Sequence, residues 1–556
     1  MLGMAVDANV LIYERLREER ERGASLSLAL RNGYDRALPT ILDTHLTSIF
    51  TAIVLYVVGN DQLKGFGISL TVGLFISLFT SLYMTRTIFE VCLAKGWLKQ
   101  MNFFDGLVKL VHAKYWDFMS IRRAMFTLTA VLTVLGAGLF IYRADSKPGE
   151  NKATVLNIDF TGGTAYTGRL KEPMSLKHIQ DALAGSLDKL PDLSVEQNWP
   201  GDGSKRTGDT SEYFTIRTSN KKSKEVLSVI SDSLQNDLRQ IVLDKYTLVK
   251  NKAGLVTEAV VHFASNKETG YASQAQVSRL FGDASEQNSL PRSLFAVDRP
   301  DDPEGVKEKD DHYSELVLHL SDPTPAGKVK QIIEDVQEDF RQSPQPERLE
   351  IFDQQLANNT QTRALYAILA SWAAILLYLW FRFGSWTFGA AAVVCLVHDL
   401  FFTLGAIALC HYIHGTWIGN ALGIGDFKID LPSIAALLTL VGYSVSDTIV
   451  VFDRIREVRG KNPALTYQMV NDSVNQTLTR TILASTTVFV VVLVLYIFGG
   501  EGVKLFAFVM IVGVMVGTYS SIYIASPLLL IFGEGKTAPG QLDRASTPSS
   551  TAITKA

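Results

Sequence analysis

The sequence predicts a polytopic α-helical membrane protein that carries one large α+β domain outside the bilayer. Two observations point there. The 556-residue chain is 47% hydrophobic yet 20% charged, and the two populations separate along the chain instead of mixing. The apolar share also gathers into runs that suit a bilayer, since a helix crossing a hydrocarbon core of roughly 30 Å needs about 20 residues without charge.

Five runs are free of charge over such a length: Gly65 to Thr85, Ala124 to Tyr142, Ala364 to Phe381, Thr481 to Gly500 and Leu505 to Gly533. Three more, Pro39 to Asn60, Trp386 to Tyr412 and Leu431 to Phe452, are as long and apolar but each holds between one and three Asp or His residues. Eight spans are therefore predicted. The apolar stretch Leu2 to Tyr13 is too short to span, lacks the charged flank and cleavage site of a signal peptide, and reads as a helix whose beginning is cut off.

Net charge of −3 without a basic, aromatic-laced cluster makes nucleic acid an unexpected partner. Cys92, Cys395 and Cys410 fall in or beside membrane segments, so no disulfide or metal framework is offered and no cofactor is expected.

Positive charge marks the cytoplasmic side of membrane helices, and it collects at Arg15 to Arg22, Arg122 and Arg123, Arg382, and Arg454 to Lys461. Threading the spans through these points gives an expected organisation. Residues 1–90 form a first membrane part, 91–123 a cytoplasmic linker, 124–142 one helix, and 143–363 an extracytoplasmic domain, periplasmic in a two-membrane cell. Residues 364–533 hold five more helices, and the Ser/Thr/Pro/Gly-rich tail 534–556 reads as disordered and cytoplasmic.

Within the polar domain, strands are expected near Val155 to Gly168, Tyr213 to Thr218, Glu315 to Leu320 and Arg348 to Phe352. Helices are expected from Ser175 to Leu187, Lys221 to Asp244 and Pro325 to Phe340. A ferredoxin-like split βαβ arrangement follows. Asn266 to Asp311 turns polar and reads as a mobile insertion.

The chain also repeats itself. Gly3 to Glu18, GMAVDANVLIYERLRE, aligns without gaps on Gly442 to Glu457, GYSVSDTIVVFDRIRE, with five of sixteen positions identical. Downstream, Leu55-Tyr56 before Gly59 matches Leu495-Tyr496 before Gly499, and Val72-Gly73 with Ser81-Leu82-Tyr83 matches Val512-Gly513 with Ser521-Ile522-Tyr523. Two homologous halves are expected, with three helices in the first and six in the second.

These segments carry a resemblance to a known family. GMAVDANVLIYERLREE resembles the fourth helix of SecD, and NIDFTGGT, residues 157–164, resembles the strand that follows the first helix of SecF. GYSVSDTIVVFDRIRE, QTLTRTILAST and Val397-His398-Asp399 complete a SecF-like pattern. The chain thus resembles a SecD/SecF fusion of the resistance-nodulation-division superfamily, with SecD helices 4–6 followed by SecF helices 1–6. The resemblance implies a bacterial inner-membrane accessory of the Sec translocase that uses the proton-motive force in late steps of preprotein export. Its implied partners are the SecYEG channel, YajC, translocating preproteins and membrane lipid. It also implies that the first part of SecD is missing here, through an internal start or supply by a separate SecD N-terminal chain.

Asp7 and Asp447 sit in apolar helices, each 7 or 8 residues before a cytoplasmic Arg, which places the carboxylates roughly 10 Å inside the interface. A carboxylate cannot snorkel that far, so it faces the bundle interior and either finds a partner or exchanges a proton as its surroundings change. Asp7 and Asp447 match the aspartates implicated in proton conduction in the family, and Arg480 matches its functional arginine, the candidate countercharge for Asp447. His398 and Asp399, adjacent in mid-helix, rank second as relay members, because residues about 100° apart can both face a bundle only if it encloses the helix. Interhelical polar staples are the bland alternative for the two aspartates, and an interfacial anchor is the bland alternative for Arg480. Asp43 and His45 are as well explained by capping or solvation.

Asp159, Phe160, Thr161, Gly162 and Gly163 are structural motif residues. The glycines read as a tight turn after a strand, since no Lys-Ser/Thr follows to make a phosphate cradle. His411 and His414 lack further ligands nearby in sequence, so no metal is expected, and no Walker motif supports ATP use.

Two other functions compete. Gly423-Ile424-Gly425-Asp426 spells the GxGD of intramembrane aspartyl proteases, but Asp426 falls in a loop about 30 Å of helix from Asp447. An exporter of small molecules or lipids built on the same superfold is the second.

Overall fold

The computed structural model describes residues 2–97, 115–145, 154–198, 210–264, 269–299, 307–308, 312–342, 344–462 and 464–533. The tail 534–556 and much of the expected linker lie outside them. The chain divides into a helical unit, residues 1–145 and 360–556, and a sheet unit, residues 146–359.

The helical unit begins with α1 (Leu2–Glu21), α2 (Leu26–Val58) and α3, which runs from Asp61 to Ala94 through a π-helical turn at Thr80–Met84. Next comes α4 (Arg122–Ala144). Arg143 stands at its end with the guanidinium buried, donating from Nη1 to the carbonyl of Ala408.

The sheet unit consists of two βαββαβ passes in series. The first is β1 (Gly163–Ser175), α5 (Leu176–Leu183), β2 (Ser194–Asn198), β3 (Thr210–Thr218), α6 (Ser223–Leu234) and β4 (Gln240–Lys250). The second is β5 (Leu255–Ala264), α7 (Gln274–Gln287), β6 (Phe295–Asp298), β7 (Glu315–Pro325), α8 (Ala326–Gln342) and β8 (Arg348–Phe352). Their sheets run β8-β1-β3-β2 and β4-β5-β7-β6, all antiparallel, with a two-residue strand, Thr269–Gly270, added beside β4. Each is the ferredoxin-like order, and each is completed by the last strand of the other pass.

The registers agree in detail. Tyr166 of β1 pairs with Ile216 of β3 on one side and Leu349 of β8 on the other; Ala259 of β5 pairs with Leu318 of β7 and Leu248 of β4. Helices α5 and α7 both start from a serine cap, Ser175 and Ser273, and bury the residues four and eight positions on, Ile179 and Leu183 in one, Val277 and Phe281 in the other. The same side-chain periodicity thus builds two separate cores, one around Phe214, Ile216 and Ile230, the other around Phe281, Leu318 and Ile333.

Several sequence expectations change here. The segment read as one helix from Lys221 to Asp244 is α6 followed by β4, because the apolar spacing of 3.6 in Val226, Val229 and Ile230 gives way to alternation at Ile241 and Leu243. The stretch expected to be a mobile insertion contains α7, with a capping box and a buried apolar face, and β6. The Asp159 motif is a single helical turn, Ile158–Thr161, ahead of β1 and not a turn after a strand. Gly162 and Gly163 have φ of 74° and 149°, and a Cβ on Gly163 would lie 2.2 Å from the carbonyl oxygen of Thr218. Only glycine lets β1 begin so close to the end of β3.

The helical unit resumes with α9 (Gln354–Phe383), α10 (Trp386–Ile413), α11 (Leu431–Arg459), α12 (Tyr467–Phe498) and α13 (Glu501–Ser520), the last continuing through a π-helical turn, Ser521–Ala525, to Ile531. Among the described residues eight helices, α2 to α4 and α9 to α13, are long and apolar enough to span a bilayer. They extend beyond most of the predicted runs because their ends carry polar turns. The apolar part of α11 is wholly buried, whereas that of α4 is 6% buried and presents its side chains outward. The internal repeat is visible in three dimensions. Both α3 and α13 change to π geometry at matching places, and Gly59 and Gly499 close α2 and α12 alike, each N–H bonding the carbonyl four residues back.

The exchanged strands make the two sheet cores depend on each other. Phe214→Ala and Phe281→Ala should each cost about 3–5 kcal/mol and should lower one shared unfolding transition. Calorimetry of the excised sheet domain, residues 146–359, is the check; two transitions, each sensitive to only one substitution, would refute the coupling.

Candidate functional site

Helix α11 starts at a fixed point, because Asp430 and Ser433 form a capping box and Pro432 occupies the first turn. From there an uninterrupted helix carries Ser444, Ser446 and Asp447 into the middle of the bundle, all buried. Helix α1 faces it from the other half of the repeat. In the gap-free alignment Asp7 matches Ser446, and these two meet: the Ser446 hydroxyl donates to Asp7 Oδ2 at 3.0 Å.

Arg480 of α12 is 1% exposed and its Nη2 donates to Asp7 Oδ1 at 2.9 Å. The expected countercharge for Asp447 is thus paired with Asp7 instead, because α1 packs against α12 and brings its carboxylate to the guanidinium. The Nε and Nη1 donors of Arg480 are buried without a hydrogen-bond partner. Asp447, 1% exposed, accepts from the Ser485 hydroxyl at 3.4 Å, and the hydroxyls of Tyr443 and Thr518 reach Ser485 at 3.3 and 2.7 Å. The site therefore holds two carboxylates, one guanidinium and a fan of hydroxyls. One cation balances one carboxylate, leaving the second dependent on hydroxyl donors or a proton.

His398 and Asp399 lie apart from that cluster in α10, yet both are buried and both are engaged. His398 Nδ1 is 2.9 Å from Asp399 Oδ1, its Nε2 is 2.7 Å from the Tyr519 hydroxyl, and Ser444 and Ser520 donate to Asp399 Oδ2. Enclosure by α11 and α13 explains how adjacent residues are both satisfied.

Asp43 and His45 are buried rather than solvated. Asp43 accepts from the Tyr378 hydroxyl at 2.7 Å and from Arg382 Nε at 2.6 Å, so it joins α2 to α9. His45 Nδ1 is 2.9 Å from the carbonyl of Ile41, and its Nε2 is buried without a hydrogen-bond partner. At the Arg-rich end of the bundle the repeat makes reciprocal ion pairs, Arg15 with Glu457 at 3.5 Å and Glu18 with Arg454 at 3.7 Å. Asp426 does not join Asp447; its carboxylate lies beside Arg143 and His411. The hydroxyl residues Ser446, Ser485 and Tyr519 were not singled out in sequence. A serine or tyrosine in an apolar helix is too common a signal to mark a site.

A model of the family described as protein export membrane protein SecD/SecF, C-terminal, matches residues 1–95 and 332–535. The protein translocase subunit SecDF of Brucella abortus is 25% identical over 534 residues, 96% of this chain and 52% of that protein. Its counterpart in Thermus thermophilus is 27% identical over 535 residues, 96% and 53%. The protein translocase subunit SecF of Rhodothermus marinus is 41% identical over 203 residues, 36% of this chain and 63% of that protein. The crystal structure of the Thermus SecDF shares the fold with a TM-score of 0.60 at 24% identity, covering 96% of this chain and 53% of that one. The chain spans about half the length of the SecDF relatives it matches.

Removing one partner of the buried pair should expose its cost. Arg480→Met is expected to destabilise the protein by about 3–5 kcal/mol, as an uncompensated buried charge does, and Asp7→Asn in the same chain should recover part of that loss. Thermal unfolding in detergent reports both. Strictly additive losses in the double variant would show that the two side chains are not coupled.

Proposed function

Because the chain belongs to the SecD/SecF family of protein export membrane proteins, we propose that it serves as an accessory of the Sec translocase in the bacterial inner membrane. In this reading it draws on the proton-motive force to promote late steps of preprotein export through SecYEG, with YajC as a further partner. The sheet domain faces the periplasm, where the emerging preprotein is found.

The observation that carries this reading is one buried guanidinium, Arg480, bonded to Asp7 while a second buried carboxylate from the opposite half of the bundle, Asp447, rests on a serine hydroxyl. Arg480 spends one donor on Asp7 and keeps two without a hydrogen-bond partner. Among the described residues, Asp447 accepts a side-chain hydrogen bond from Ser485 alone. Protonating Asp447 leaves Arg480 with Asp7; releasing that proton creates a second anion that competes for the same cation. Each proton that passes therefore changes the electrostatic bond between the halves, and a change in their packing is what a mechanical cycle needs. His45, with a bare Nε2, and the buried hydroxyls Ser77, Ser81 and Thr481, which have no hydrogen-bond partner, supply polar positions along α2, α3 and α12. The His398–Asp399–Tyr519 set is a second place where a proton can rest. The exporter alternative uses the same relay, whereas the protease alternative loses its catalytic pair with Asp426 held by Arg143 and His411.

Asp447→Asn keeps the size and hydrogen bonding of the side chain but cannot exchange a proton. Membrane levels should stay normal, while proton-dependent stimulation of reporter secretion, measured in the native host with the substituted gene at its own locus, should be lost. Undiminished secretion at equal membrane levels would rule out the relay.

A further inference from the structure

Away from the relay, three side chains from two segments converge at the end of α10. His411 belongs to the last turn of the helix, His414 caps it, and Asp426 arrives from the loop that leads to α11. One ligand atom from each of the three lies within 4.8 Å of the other two. We propose that His411, His414 and Asp426 form a binding site for a divalent transition-metal ion of the zinc type.

Four features support an ion rather than a plain ion pair. Two histidines at i and i+3 project from one face of a helix, the spacing that lets both imidazoles reach one ion. The Nδ1 of His414 faces the carbonyl of His411. A proton donated there leaves Nε2 with its lone pair free, which is how a ligating histidine is usually held. His411 Nδ1 is 3.0 Å from Asp426 Oδ1, yet it is buried and its geometry with that oxygen is not a hydrogen bond. Two donor atoms side by side but not aimed at each other fit neighbouring ligands of a shared ion. The C-terminal end of a 28-residue helix also favours a cation.

Arg143 supplies the remaining contact. Its Nη2 is 3.4 Å from the same Asp426 oxygen, while its Nη1 is anchored on Ala408. The guanidinium holds the carboxylate in place beside His411. Its positive charge also opposes the ion, which lowers affinity and makes the choice of metal depend on the two imidazoles. Nitrogen ligands select zinc, cobalt or nickel over magnesium and calcium. Three protein ligands leave a fourth position for water. Because Asp426 precedes the cap of α11, an ion here would tie the end of α10 to the start of the helix that carries Asp447.

The test uses the whole chain, purified in detergent without a polyhistidine tag and stripped with a chelator. Zinc titrated by calorimetry at neutral pH should bind with one equivalent, and cobalt should give the intense visible absorption of a tetrahedral nitrogen–oxygen site that zinc then bleaches. Exposed His414 can be changed with little effect on folding, so His414→Ala should weaken zinc by at least on the order of 100-fold, the upper end of what losing an outer partner costs. Asp426→Asn should weaken it comparably. Mild acid should release the ion as the imidazoles protonate. Absence of saturable zinc binding, or equal affinity in the His414→Ala protein, would overturn the proposal and leave Asp426 as a partner of Arg143 and His411 alone.

Discussion

An ion in hydrocarbon needs a counter-ion or a proton, and this constraint determines how the helices of the bundle can meet. Asp7 is answered by Arg480 and Asp43 by Arg382, and in both cases the acid comes from the first three helices and the base from the later five. Neither Asp7 nor Asp43 takes its counter-ion from its own half. The helices therefore associate through a few specific polar contacts, in a medium where apolar surface alone gives little preference for a helix over a lipid. Small and hydroxylated residues do the rest: Gly442 lies against Ser48, and Gly517 against Ser444, so α11 is approached closely from two sides.

Duplication occurs at two scales, and both copies are joined by reciprocal exchange. In the bundle, Arg15 reaches Glu457 while its repeat mate Arg454 reaches Glu18. In the sheet domain, β4 completes the second sheet while β8 completes the first. Exchange of this kind makes a pair of similar units inseparable without a linker or a large interface, because each lacks a part that the other holds. A sheet missing its edge strand exposes a row of unpaired backbone groups, so the two cores are obliged to fold as partners.

The spans were legible because bilayer thickness imposes a length and a polarity that survive any packing arrangement. The buried aspartates Asp7 and Asp447 were legible because an aspartate in an apolar helix is costly enough to need a reason. What remained hidden depends on contacts between distant segments. Arg480 lies 33 residues from Asp447 and 473 from Asp7, and nothing in its local sequence tells which of the two it faces. Asp426 is twelve residues beyond His414, with a short helix, Trp417–Leu422, between them, so the histidines looked isolated. The second ferredoxin-like pass was hidden for another reason. Its first strand is separated from α7 by a polar stretch, and β4 follows α6 so closely that helix and strand blend into one apolar pattern.

Why one helix can serve three buried polar sites follows from its geometry. Successive residues of an α-helix turn by about 100°, so Ser444, Ser446 and Asp447 point in three different directions. In α11 those directions lead to Asp399 on α10, Asp7 on α1 and Ser485 on α12. A surface helix would send at least one of the three into lipid. Only a helix whose apolar span is buried on all sides can support the arrangement, and α11 is that helix. A shift of α11 along or about its axis would therefore disturb all three contacts together. The central helix is the element that joins the surroundings of Asp447 to those of Asp399 and Asp7.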